Sequence, residues 1–332
     1  MSQYTAIIPV AGAGTRLRPH TYTYPKVLLT VGDKPILGHI LDKLIENKIK
    51  KVCFVIGYMG DKVREYVNTN YKNLDVNYVL QEEQRGLGHA VWLTKANVSG
   101  PILIILGDTI IEADIPQFLK QDFDKIGVKE VTDPKRFGIV KLNKSGFIDY
   151  MVEKPENPPS NMAIVGLYAF KNSNLLYSSL DKISKIGKTT RGEMQLTDAM
   201  QMMIKEGHKI KAVKIKGWFD CGKPETLIET NRYILSKKSG KVALKAGKNC
   251  LIINPVYISK TAEIKNSIIG PNVSIGEDAV IDNSIISDSI INEGAVIKNG
   301  NLDKSLIGPN AFVEGKVESI NIGENSEIKL TI

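Results

Sequence analysis

Ala11-Gly12-Ala13-Gly14-Thr15-Arg16-Leu17-Arg18-Pro19, with Pro25-Lys26 shortly after, stands directly behind the apolar run Ala6-Ile7-Ile8-Pro9-Val10. Glycines let a backbone approach a polyphosphate and turn successive N–H groups toward it, while Arg16 and Lys26 add full charges that amide dipoles cannot supply. The segment reads as a phosphate-handling loop. A dinucleotide fingerprint would need a third glycine where Leu17 stands, and a Walker loop would need a Gly-Lys-Ser/Thr triplet that does not follow. Two carboxylates lie in comparable settings: Leu106-Gly107-Asp108 ends an apolar run, and Trp218-Phe219-Asp220-Cys221-Gly222 follows the strand-like Lys211 to Ile215. Mg²⁺ prefers hard oxygen ligands and takes one or two carboxylates plus phosphate oxygens and water, so aspartates from two distant strands converging on the loop would suit it. Taken alone, either aspartate reads as a strand-end or turn residue. Gln81 follows Val76 to Leu80 and precedes Gly86; an amide with a donor and an acceptor side by side suits the edge of a pyrimidine, and glycine lets a base lie against the backbone.

The elements that must hold these residues follow from the apolar pattern. Val52-Cys53-Phe54-Val55-Ile56-Gly57 and Ile102-Leu103-Ile104-Ile105-Leu106-Gly107 read as buried strands, and Ile36 to Glu46 and Gly60 to Asn70 as amphipathic helices. This alternation predicts an α/β domain, a Rossmann-like, mostly parallel sheet covered on both faces. Ligands then gather at the carboxyl ends of the strands, where the loop after Val10 and the residues after Leu106 would both lie.

Strand, Ala-Gly-x-Gly-Thr-Arg-Leu, then Pro-Lys resembles the signature of the sugar-1-phosphate nucleotidyltransferases, and further matches recur in the family's order as far as Asp220 and Gly222. The resemblance implies an enzyme that joins a nucleoside triphosphate to a sugar 1-phosphate and releases pyrophosphate, with Mg²⁺ as cofactor. It implies catalytic roles for Arg16, Lys26 and Asp108, metal ligation by Asp108 and Asp220, and nucleotide contacts from Ala11, Gly12, Gly14, Thr15, Arg16, Gln81 and Gly86. Sugar phosphate recognition would involve Gly138, the Glu-Lys-Pro motif at Glu153 and Lys154, and Gly166. A carboxylate suits hydroxyl groups and an ammonium suits phosphate; without the resemblance the pair reads equally as a surface ion-pair neighbourhood. Arg191 to Asp198 also fits the family, although its acids could simply cap the helix that follows. His89 reads as a helix-start or packing residue, because a sugar phosphate oxygen is already ionised and needs no base.

Beyond Leu235 the chain changes character. Ser236-Lys237-Lys238-Ser239-Gly240-Lys241 is polar and basic, and after it aliphatic residues recur at Ile252, Ile258, Ile264, Ile269, Ile275 and Ile281, and on to Ile322 and Ile328. The spacing is six with steps of four or five, with Gly or Asn often beside the aliphatic residue. It resembles the hexapeptide repeat of the left-handed parallel β-helix, with about eighteen residues per coil and around four coils. The expected organisation is a nucleotidyltransferase domain over 1–235, a linker over 236–250 and a β-helix over 251–332.

Composition bounds the rest. The chain has 332 residues, of which 42% are hydrophobic and 24% charged, an ordinary globular balance for more than one domain. The net charge of +8 is spread among acids without interleaved aromatics, which speaks against nucleic acid as a partner. No run approaches a membrane span and no leader is evident, and Cys53, Cys221 and Cys250 read as reduced thiols, so a cytoplasmic protein is expected. A homo-oligomer is expected, with the β-helix serving assembly.

The local motifs look more like UTP:glucose-1-phosphate uridylyltransferases, whereas a β-helical tail is found on thymidylyltransferase-like, guanylyltransferase-like and bifunctional acetylglucosamine enzymes. Glucose 1-phosphate with UTP or dTTP is therefore the expected pair. The alternatives are a bifunctional enzyme that also transfers acetyl groups, a GDP-mannose or ADP-glucose type enzyme, and a non-catalytic regulatory relative.

Overall fold

This computed structural model describes residues 4–120, 123–187, 189–237, 249–315 and 319–329. The expected linker lies, from 238 to 248, outside the described residues. The chain divides into two compact units, one of residues 1–12 and 40–218, the other of 13–39 and 219–332.

In the first unit, four strands form the parallel part of one sheet, in the order Ile102–Ile105, Thr5–Pro9, Lys51–Ile56 and Asp75–Leu80. Ile102–Ile105 is buried throughout, as a strand covered on both faces must be, and its side chains are accordingly continuous aliphatics. Asp75–Leu80 closes this edge and is only partly buried, with polar residues alternating along it. On the other side the sheet becomes antiparallel. Met162–Phe170 pairs with Ile102–Ile105, with Gly138–Leu142 and with Asp124–Glu130, and Gly138–Leu142 pairs in turn with Ile148–Glu153. Ile210–Lys214 adds in parallel to Asp124–Glu130. Ala90, Val91, Leu176, Leu180, Leu196, Met200 and Met203, from three helices, pack with Ile7, Cys53, Ile104 and Tyr168 into one core. Helix Gly60–Asn70 matches its amphipathic pattern.

In the second unit, strands among the described residues from Leu251 onward form three parallel sheets, the three sides of the left-handed β-helix. Ile264 pairs with Ile281, Ile281 with Ile297, Ile297 with Val313 and Val313 with Ile328, so coils advance by 17, 16, 16 and 15 residues instead of the eighteen expected. The corners account for the shorter coils, because single residues in the left-handed region make tight turns. One corner uses Asn266, Asn283 and Asn299, another Asn272, Asp288 and Lys304, and the third Asp278, Gly294, Asn310 and Asn325. Asn, Asp and Gly tolerate that conformation, which explains them at the corners, whereas Gly276 and Gly308 beside aliphatic positions answer to the next coil, since a β-carbon there would come 2.6 Å from Glu293 N and 2.4 Å from the Gly323 carbonyl carbon. Buried serines satisfy the backbone between coils: Ser267 Oγ accepts from the N–H of Ser284, and Ser284 Oγ from that of Gly300, both at 3.0 Å. Helix Pro224–Lys237 is fastened to the β-helix through Asn231, which is fully buried, and through the Arg232–Asp288 ion pair. Among the described residues, no helix is long and apolar enough to cross a membrane.

Candidate active site

Because four strands of the first unit run parallel, their carboxyl ends share one edge, and the segments that follow them carry much of the expected chemistry. After Thr5–Pro9 come Ala11 and Gly12; after Lys51–Ile56, Gly57; after Asp75–Leu80, Gln81; and after Ile102–Ile105, Asp108. A β-carbon on Gly57 would lie 2.9 Å from both the Cβ and the carbonyl oxygen of Ala11, so glycine there is what lets the loop leave its strand. Gln84 Nε2 donates to that same Ala11 carbonyl at 3.1 Å. Gly12 differs: a β-carbon there would meet nothing within 4 Å, so nothing in the protein requires glycine, and the space beside the backbone is open.

Gln81 is 5% exposed, and its Nε2 lies 3.2 Å from the carbonyl of Gly86 and 3.0 Å from His89 Nδ1. Gly86 caps helix Leu87–Leu93 at φ 102°, and a β-carbon on it would come within 2.7 Å of the Met194 carbonyl. The segment at 193–195 thus closes directly over Gly86 and Gly88, held by Gly88 N–H to Met194 O and Met194 N–H to Arg85 O, both 2.8 Å. His89 packs in its helix against Trp92, ring centroids 5.9 Å apart, as a packing histidine should, but it also holds Gln81. Burial, then the positive charge of Arg85, lowers its pKa below the ordinary value, with Glu83 opposing.

Glu153 ends strand Ile148–Glu153, where Thr197 Oγ1 donates to its Oε2 at 2.8 Å and Lys154 Nζ lies 3.6 Å from its Oε1. A β-carbon on Gly138 would lie 2.9 Å from that carboxylate, and one on Gly166, at φ 81°, would strike Leu106 at 2.6 Å. Both glycines are thus required by their own surroundings. Lys154 sits at φ 41°, its carbonyl accepting from Arg191 Nη2 at 2.9 Å. Of the acids at 193–198, Asp198 lies in the first turn of helix Leu196–Lys205. Its N-cap, Gln195, makes no side-chain cap bond; Glu193 accepts from Gln195 Nε2 at 2.9 Å and Asp198 from Thr190 Oγ1 at 2.7 Å. Thr197 was not singled out in the sequence, since its partner lies on a strand far away in the chain. Asp108 is half-buried and accepts from Thr109 Oγ1 at 3.2 Å.

The second unit holds the cations of the loop. Gly14, at φ 62°, packs so closely that a β-carbon would meet Lys26 Cβ at 2.9 Å, and Thr21 Oγ1 donates to its carbonyl at 2.9 Å. Lys26 is 8% exposed, whereas Thr15 and Arg16 are exposed. Asp220 ends its strand half-buried; a β-carbon on Gly222 would fall 2.8 Å from Asp220 Oδ1 and 2.9 Å from Arg16 Nη2, which brings that carboxylate and that guanidinium to one glycine. The Pro19–His20 part of the loop meets the last coils of the β-helix, with His20 Nε2 hydrogen-bonded to Asn321 Oδ1 and a position for Cβ on Gly323 3.1 Å from Pro19. Burial pushes the His20 pKa down, and the bond to Asn321 opposes this.

Residues 5–237 match the family described as nucleotidyl transferase. The bifunctional protein GlmU of Methanococcus aeolicus is 33% identical, the match covering 96% of this chain and 84% of that one. A glucose-1-phosphate thymidylyltransferase of Streptomyces griseus is 30% identical over 94% of both chains. Among solved structures, a UDP-glucose pyrophosphorylase complexed with UDP-glucose superposes with a TM-score of 0.63 at 26% identity, over 71% of this chain and 99% of that one. With the family model matched over residues 5–237, the chain belongs to the nucleotidyl transferase family.

Proposed function

We propose that the chain joins glucose 1-phosphate to UTP or dTTP, forming the nucleoside diphosphate sugar and releasing pyrophosphate, with Mg²⁺ as cofactor. The observation that carries this reading is the open backbone at Gly12 on the same sheet edge as Gln81 and Asp108, a loop built for a ligand rather than for its own packing. The N–H groups of Ala11, Gly12, Gly14 and Thr15 would face the triphosphate, and Gln81 with Gly86 would read the base. Glu153, braced by Thr197, would accept from sugar hydroxyls, and Lys154 would meet the sugar phosphate, with the backbone at Gly138 and Gly166 as further contacts to it.

Among the described residues no three His, Cys, Asp or Glu side chains form a closed metal cage. A dication that draws most of its oxygens from phosphates and water needs only one or two carboxylates, and half-buried Asp108 and Asp220 fit that donor set. Bound there, Mg²⁺ would withdraw charge from an α-phosphate oxygen. The sugar phosphate oxygen attacks the α-phosphorus, the bond to the β-phosphate oxygen breaks, and pyrophosphate leaves carrying the electron pair. Lys26 would hold the two phosphates that react, and Arg16 would neutralise the leaving group; positioning and charge carry the reaction, with no proton to remove. The chain is proposed to work in the cytoplasm as a homo-oligomer.

Crossing four nucleoside triphosphates with several sugar 1-phosphates and measuring pyrophosphate tests the assignment. Release should be greatest with UTP or dTTP and glucose 1-phosphate, and none with any pair from the folded protein would defeat it. A second reading, acetyl transfer by the β-helix, is favoured by the relative named bifunctional. Such transfer ordinarily needs a histidine base, and His20, His39, His89 and His208 all precede residue 251. Acetylation of glucosamine 1-phosphate from acetyl-CoA would establish it.

A further inference from the structure

We propose that His89 is a positioning residue for base selection: it fixes the Gln81 amide so that only the carbonyl oxygen is offered to the base, which favours uracil or thymine over cytosine. The inference rests on the proposed role of Gln81 as reader of the base. The Gly86 carbonyl can only accept a hydrogen bond, so the Gln81 atom 3.2 Å away must be its NH₂ group. That same NH₂ lies 3.0 Å from His89 Nδ1, so Nδ1 must accept, and the imidazole must be neutral with its proton on Nε2. Both Gln81 donors are then committed, while no hydrogen bond among the described residues engages Oε1.

An acceptor at that place complements the N3–H of uracil or thymine and opposes the N3 lone pair of cytosine. Turning the amide over would set Oε1 against the Gly86 carbonyl, so the orientation has a built-in penalty against reversal. Three features keep His89 in the required state. It is 7% exposed, Trp92 supports its ring, and the charge of Arg85 adds to burial in holding it neutral, with Glu83 acting in the opposite sense. Protonation at Nδ1 would place a donor against the Gln81 NH₂ and break the arrangement.

The test compares kcat and KM for UTP and CTP in wild type, His89→Phe, His89→Asn and Gln81→Ala, each checked for native circular dichroism. His89→Phe keeps a ring against Trp92 but has no acceptor, and should lower the preference for UTP over CTP about tenfold, mainly through KM, with kcat little changed. His89→Asn places an amide oxygen near the Nδ1 position and should restore most of the preference, which a merely structural role would not require. A pH readout adds to this: the UTP to CTP ratio of kcat/KM should fall in wild type as pH drops below 6.5, and fall less in His89→Phe, which shares every phosphate and cytosine titration but lacks the imidazole. A folded His89→Phe with unchanged preference, or a ratio flat with pH, would overturn the proposal. If Gln81→Ala loses the preference in that case, the base-reading assignment stands and only the role of His89 falls; if Gln81→Ala also keeps it, both fall.

Discussion

Replacing Asn231 by alanine should cost the second unit far more than an ordinary surface change. Asn231 is fully buried; its Oδ1 accepts from the Gly32 N–H and from Ser274 Oγ, both at 2.7 Å, and its Nδ2 donates to the Asn272 carbonyl at 3.1 Å. One side chain therefore ties three segments: the stretch that carries the Arg16 and Lys26 loop, the helix Pro224–Lys237 and the β-helix. Alanine leaves three polar groups without their partner, and at about 1 kcal/mol each, the low end for an unsatisfied buried group, the loss is about 3 kcal/mol. With a conversion of about 2–4 °C per kcal/mol, calorimetry should show the affected transition falling by roughly 6–12 °C. Ser274→Ala removes one donor but leaves Asn231 bonded to Gly32 and Asn272, and should cost only about 1 kcal/mol. Added to Asn231→Ala it should cost almost nothing more, because the two share the interaction. A fall below about 2 °C for Asn231→Ala would refute the reasoning, since it would mean that water reaches all three groups.

Further outcomes can be checked independently. Lys26→Ala should lower turnover by orders of magnitude in a pyrophosphate-release assay, as expected for an oriented cation at phosphoryl transfer, and a change of about tenfold or less would make Lys26 minor. Asp108→Asn and Asp220→Asn should each keep the fold but shift the Mg²⁺ titration of activity to higher concentration, because an amide binds a hard dication less well; unshifted curves in both would remove them as ligands. Truncation near Gly240 should reduce the oligomer size in light scattering and leave detectable but reduced activity, since Pro19 and His20 lose Gly323 and Asn321; an unchanged size would move assembly to the α/β domain. His20 has its pKa lowered on folding, so the unfolded chain binds the proton more readily below pH 6.5 and stability should fall as pH drops through that value. His20→Gln should flatten this dependence of Tm on pH, and an identical slope would show that other groups carry it.

Much of the fold was legible because burial writes itself into local pattern. The aliphatic run at 102–105 reads as a strand covered on both faces, and aliphatic residues at hexad spacing resemble those that point into a β-helix. Coil length was not legible, since it depends on corner residues such as Lys304, whose type does not announce a left-handed conformation. At the site, the glycine loop, Gln81 and Asp108 stand at strand ends and are marked by neighbouring residues. Thr197 bracing Glu153, Met194 closing over Gly86 and His89 holding Gln81 are contacts between side chains and turns with no periodic signature. The first two join segments far apart in sequence. The third joins near neighbours, but a buried histidine beside an aromatic looks the same whether or not its second face has a task.

The central claim is that a sugar phosphate oxygen becomes bonded to the α-phosphorus of the nucleotide while the β and γ phosphates depart as pyrophosphate, and isotope tracing tests it most directly. Glucose 1-phosphate with ¹⁸O in its non-bridging phosphate positions is incubated with the full chain, Mg²⁺ and UTP or dTTP, and both products are examined by mass spectrometry. Attack by a sugar phosphate oxygen on the α-phosphorus predicts that all the label stays in the nucleoside diphosphate sugar and that the pyrophosphate carries none. Labelled pyrophosphate, or the absence of both products from the folded protein, would contradict the account.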